Sequence, residues 1–360
     1  MRSSTAATVC LAVSLSLLAA APAAGGGGDA PAREAPTTAR LGATAVAPRT
    51  AGALEAAGVS AARSSKRVPI KSSRCTSLPE SNVWNTPVTH LPVHKRNKQW
   101  HAAIGSRNLH PDFGPAGKGE YPYGIPVTVV KKNAKKSTVR FAYASESDRV
   151  KYPVNAKTKI EGGKKGTGDR HAIIVQKGTC KVYELYDLRR SGSRWTAGSG
   201  AVWSLKKNSL RKDGWTSADA AGLSILAGLL RYEEVKAGRV EHAIRFTAPV
   251  TAAKHIWPAR HHAGSGSSKT RPPMGARFRL KKNFSTKGFS KDAKVVIKAM
   301  KNYGIILADN GSGWYFQGEA STKWPSRLVA DLKRIPSSAF EAVDTKQMRI
   351  KKNSAKARQP

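Results

Sequence analysis

The sequence predicts an all-β fold, an antiparallel two-sheet sandwich or jelly roll carrying two or three short helices. Three observations predict it. Apolar runs between Tyr121 and Phe284 are short and rich in β-branched and aromatic residues; Gly, Pro, Asn and Asp punctuate them; and only two stretches show helical spacing. In chain order the expected strands cover 125–130, 138–143, 172–175, 181–186, 201–205, 242–247 and 276–280. Two of them alternate cleanly. His242, Ile244 and Phe246 share one face opposite Ala243, Arg245 and Thr247, while Arg277, Arg279 and Lys281 lie opposite Phe278 and Leu280. Such alternation sends one face to the core and leaves the other open for contacts. Ser290 caps the first helix, with Asp292 in its opening turn, an apolar stripe of Val296, Ala299, Met300 and Tyr303, and Gly304 as the stop. Pro325 opens the second, with Leu328, Val329 and Leu332 as its stripe. Between the helices, Ile305, Ile306 and Leu307 read as a buried strand that ends in the turn Asp309-Asn310-Gly311.

The ends of the chain have a different character. Arg2, an apolar run over 6–20 and small residues at 21–24 have the order of a secretory signal peptide, 1–24. Residues 25–74, rich in Ala, Gly, Pro, Thr and Arg, read as a disordered linker. A single domain is expected over 75–345, followed by a basic disordered tail, 346–360. Without the leader only Cys75 and Cys180 remain. A disulfide between them closes a loop of about a hundred residues, worth roughly 4–5 kcal/mol in the chain-entropy picture. The rival reading is a thiol enzyme using Cys180. Past the leader no apolar stretch is long enough to span a membrane, so the expectation is a secreted, extracellular monomer.

Charge narrows the partners. The 360 residues hold 62 Lys and Arg against 23 Asp and Glu, a formal charge of +39, and residues 75–360 alone carry 53 basic and 20 acidic side chains. Such a surface attracts polyanions. The bases are scattered as pairs such as Lys131-Lys132, Lys206-Lys207 and Lys281-Lys282. Scatter favours an extracellular polysaccharide or another polyanion over sequence-specific nucleic acid. There is no nucleophile elbow, zinc helix, paired CxxC or phosphate loop, so no cofactor or metal is expected.

With acids scarce, each carboxylate near a His or in an apolar setting is a candidate. Asp169 and His171 occupy alternate positions entering a strand, where the acid can orient the imidazole. Glu184 lies in an aromatic strand, a setting that raises a carboxyl pKa and suits a proton donor. Asp219 sits in a small-residue segment beside Trp215, and Asp309 closes a buried strand. As a glycoside hydrolase the protein would use two of these four carboxylates. As a polysaccharide lyase it would use His171 or His242 with Arg245. Arg245, Arg260, Arg277 and Arg279 are candidates to clamp an acidic sugar, and Trp215, Trp257 and Trp314 to stack on sugar faces. Each of these residues also has a structural role open to it, in a turn, an ion pair or the core. A non-catalytic lectin-like module held to the cell envelope by charge is the alternative from another class.

Four segments, Trp195–Trp203 (WTAGSGAVW), Gly214–Leu223 (GWTSADAAGL), Pro272–Leu280 (PPMGARFRL) and Tyr303–Tyr315 (YGIILADNGSGWY), resemble stretches of a family of secreted bacterial proteins common in actinomycetes. The resemblance covers roughly residues 78–345. It implies export and one continuous domain, and it assigns no residue a role.

Overall fold

A computed structural model describes residues 67–117, 120–163 and 165–359. The expected leader, and the linker up to residue 66, lie outside them. Among the described residues, thirteen strands form three sheets. The largest has the order β1 (His110–Asp112), β12 (Tyr315–Gln317), β9 (Ile244–Ala248), β11 (Ile305–Asn310), β10 (Arg277–Leu280), β13 (Phe340–Val343). The second runs β2 (Val127–Val130), β4 (Ala172–Gln176), β5 (Lys181–Tyr186), β8 (Ser199–Ser204). The third is β3 (Val139–Phe141), β7 (Arg194–Ala197), β6 (Arg189–Ser191).

The chain is sheet-rich with few helices, but its sheets are mixed and not purely antiparallel. β1 pairs parallel with β12, β9 with β11, β2 with β4 and β3 with β7, while the other pairings are antiparallel. Alternation along a strand encodes which face is buried, and nothing in it encodes the direction of the neighbour. β4 is buried along its whole length, covered on both faces, as the apolar run Ala172–Val175 requires.

The helices follow local chemistry. The Ser290 hydroxyl accepts from the Ala293 N–H and opens α4 (Lys291–Asn302), whose Val296, Ile297, Ala299 and Met300 are buried. α5 (Ser326–Leu332) follows Pro325. The sequence reading missed α1 (Asn97–Ile104) and the short α2 (Ile225–Gly228) and α3 (Tyr232–Lys236), which carry little apolar stripe or too few turns to show a period.

Two expectations about exposed elements are corrected. The stretch 346–359 does not fray: Ala355 and Ala357 are buried, and the backbone bonds Val83 N–H to Ala355 O (2.8 Å) and Ala357 N–H to Ser81 O (2.9 Å) hold it down. Two small side chains in a polar run suffice for close backbone approach. The face of β10 expected to be open is covered. Arg277 donates to the carbonyls of Val83, Thr86 and Tyr303, and Arg279 to those of Val88, Thr89 and Leu91 as well as to Glu341. These arginines staple the segment 83–91 onto the sheet and are not free to clamp a ligand.

Cys75 and Cys180 form a disulfide with Cα atoms 5.6 Å apart, spanning 105 positions. This removes the thiol-enzyme reading of Cys180. Among the described residues no helix is long and apolar enough to cross a membrane.

Candidate functional site

The site grows from the parallel pair β9–β11 at the middle of the large sheet. Arg245 points from β9 to the face opposite Ile244 and Phe246, and its side chain is 1% exposed. On β11 the register shifts between Leu307 and Asp309, a bulge that redirects the strand end. The Asp309 carboxylate thereby comes within 3.6 Å of Arg245 Nη2, accepts the Ala220 N–H at 3.3 Å, and keeps 24% of its side chain exposed.

A loop over 215–224 covers Arg245 from the other side. Asp219 organises it: one carboxylate oxygen accepts the N–H groups of Ala221 and Leu223, both at 3.0 Å, and the other lies 3.3 Å from Arg245 Nη2. Gly222 is required for this closure. Its φ is +66°, and a Cβ there would sit 2.4 Å from the Trp215 carbonyl oxygen. Three side chains grip the loop's carbonyls: Ser199 takes that of Ser217, His171 that of Ala218 and His261 that of Ala220.

Between loop, strand end and neighbouring turns lies a cavity of about 390 Å³, lined by Glu146, Asp169, Tyr186, Asp219, His261 and Asp309 among others. Four carboxylates thus converge in a protein with few of them. Burial pushes the Asp309 carboxyl up; Arg245 opposes this, the Asp219 charge adds to it, and the net is about 6. Burial also raises Asp219, against Arg245 and the loop's N–H donors. Asp219 has no exposed side-chain surface, so of this pair Asp309 is the member that reaches the cavity.

Compared with protein-family models, curated proteins and solved structures, the chain matches none. The site is therefore read from its own geometry.

The sequence candidates divide into two groups. Asp169, Asp219 and Asp309 line the cavity, and Arg245 and His171 lie directly beneath it. The remaining candidates are placed elsewhere. Glu184 is fully buried and accepts from Trp203 Nε1, the Ser224 hydroxyl and the N–H groups of Ile225 and Leu226, so it anchors the start of α2. His242 is fully buried between the Ala243 carbonyl and Glu234. Arg260 is 4% exposed and donates to the Arg211 and Lys352 carbonyls and to Asn353. Trp314 is in the core against Phe246 and Phe278. Trp215 and Trp257 are half-buried but do not line the carboxylate cavity. Sequence reasoning passed over Glu146 and Tyr186, and weighed His261 only beside Arg260 and His262 without making it a site candidate. Of this adjacent pair, Arg260 is buried away from the cavity and His261 lines it.

His171 carries a charge rather than accepting one. Its Nδ1 lies 2.7 Å from Glu161 and its Nε2 3.1 Å from the Ala218 carbonyl, so both ring nitrogens face acceptors and both carry protons. Burial opposes the charge, the Glu161 bond outweighs it, and the pKa rises from 6.5 to about 9. Stability from this pair is complete below pH 6.5 and is lost as pH rises through about 9. Replacing Glu161 by Gln is expected to flatten that slope and to lower stability at pH 6 by on the order of 2–3 kcal/mol. Denaturant midpoints measured across pH 5.5–9.5 check both.

Among the described residues no group of three or more His, Cys, Asp or Glu is arranged to hold a metal ion.

Proposed function

We propose that the protein is a secreted carbohydrate-active enzyme that hydrolyses an extracellular polysaccharide in the carboxylate cavity. The observation that carries this reading is the Asp309 carboxyl, raised to about 6 and facing a cavity whose rim also holds the exposed carboxylate of Asp169. Hydrolysis of a glycosidic bond needs one carboxyl that keeps its proton near neutrality and one carboxylate that activates water or attacks the sugar. In this scheme Asp309 protonates the leaving oxygen and Asp169 serves as base or nucleophile. Arg245 and Asp219 hold Asp309 in place, Arg245 with a charge shared between the two acids.

Elimination finds less support. His171 has both nitrogens occupied and His242 is sealed in the interior, so neither is free to abstract a sugar proton. Carboxylates at Glu146 and Asp169 also repel an acidic sugar at the point of cleavage, which favours a neutral or cationic unit there. The disulfide fits an oxidising, extracellular compartment.

The test is incubation of the mature protein with neutral, amino and acidic polysaccharides, following reducing ends together with ultraviolet absorbance. New reducing ends without an unsaturated chromophore are expected. An unsaturated product would replace hydrolysis by elimination, and binding without cleavage would establish the lectin-like alternative.

A further inference from the structure

A second cleft, of about 570 Å³, shares no lining residue with the carboxylate cavity. Three distant chain segments supply most of its lining: 94–96, 254–260 and the C-terminal stretch 346–352, which the burial of Ala355 and Ala357 holds against the body of the protein. Seven Lys and Arg side chains line it against two carboxylates, Asp213 and Asp344. Asp213 is already engaged by His255 at 3.1 Å, Arg260 at 3.5 Å and Lys352 at 3.7 Å. Among the described residues Lys95, Lys254, Lys346 and Arg349 have no anionic partner, and all four are exposed. Gathering like charges within a Debye length raises the energy of the folded state, and a bound polyanion relieves it.

One wall is aromatic. Trp257 is half-buried, and its Nε1 donates to the Ser354 carbonyl at 2.9 Å, which fixes the indole in the cleft wall. Trp100, the other indole, is covered by His94 stacked at 4.1 Å. A single fixed ring among cations suits a sugar ring bearing acidic groups, whereas single-stranded nucleic acid is held by successive stacking platforms.

We propose that this cleft is a binding site for an anionic polysaccharide, separate from the carboxylate cavity. Consecutive residues Arg260 and His261 line the cleft and the cavity respectively. Binding at the cleft does not depend on cleavage at Asp309.

The test is fluorescence anisotropy with labelled polygalacturonate, neutral dextran and a single-stranded DNA, at several salt concentrations. Polygalacturonate is expected to bind, dextran not to bind, and the variant K254E/K346E/R349E to weaken polygalacturonate at least tenfold with a shallower salt dependence. W257A is expected to weaken it several-fold with the salt dependence unchanged. The control K131E/K132E/K135E removes the same charge from the turn after β2, outside both linings, and is expected to change binding less than threefold. Equal losses in the two triple variants would show diffuse attraction and overturn the proposal, as would failure of polygalacturonate to bind. DNA binding as tight as polygalacturonate, with the same loss in the cleft variant, would overturn the assignment to polysaccharide.

Discussion

Replacing Asp309 by Asn is expected to lower the hydrolysis rate by about 10²–10⁴-fold, the usual loss when a positioned acid is removed. The amide keeps the volume and still accepts the Ala220 N–H, so the loop over 215–224 and the melting temperature should hold. Only the transferable proton is gone. In the unaltered protein the rate should fall as pH rises through about 6, where the Asp309 carboxyl deprotonates. The pH profile of D309N should lack that limb. Unchanged activity in D309N would assign the chemistry to another group on the cavity wall, such as His261.

Removing the disulfide should have the largest effect on stability. The double variant C75S/C180S opens a loop spanning 105 positions, for which chain entropy gives roughly 4–5 kcal/mol. The bond ties Cys75, buried in the segment that leads to 83–91, to the start of β5, next to the hairpin with β4. A chain of such high positive charge also repels itself when compact, which leaves less stability in reserve. The midpoint of denaturant unfolding, compared between the variant and the oxidised protein, measures the loss. A difference under about 1 kcal/mol would mean that the unfolded chain gains little from being opened.

Much of this architecture was legible in the residues. The Ser290 cap, the Pro325 start and the punctuated strands each follow from a local preference that tertiary packing then uses. The mixed pairing was not legible, because β9 and β11 meet across some sixty residues and nothing in either strand states its neighbour's direction. The arginines of β10 misled for a related reason. Alternation placed Arg277 and Arg279 correctly on one face, but the segment 83–91 that covers this face arrives from far away in the chain. At the site, Asp169, Asp219 and Asp309 stood out because acids are rare in this chain. Glu184 stood out on the same ground, and its four donors show the other way a buried carboxylate is accommodated. Glu146 reaches the cavity from a single 3-10 turn (Ala144–Glu146) and His261 from an irregular segment, both too short for a period to mark the direction of a side chain.

The central claim is that Asp309 keeps its proton in a cavity shared with other carboxylates. Carbon-13 NMR titration of aspartate carboxyls, with D309N assigning the resonance, measures this without any substrate. The expected Asp309 pKa is about 6. A value at or below the ordinary carboxylate range, about 4, would leave no proton donor in the cavity and would contradict it.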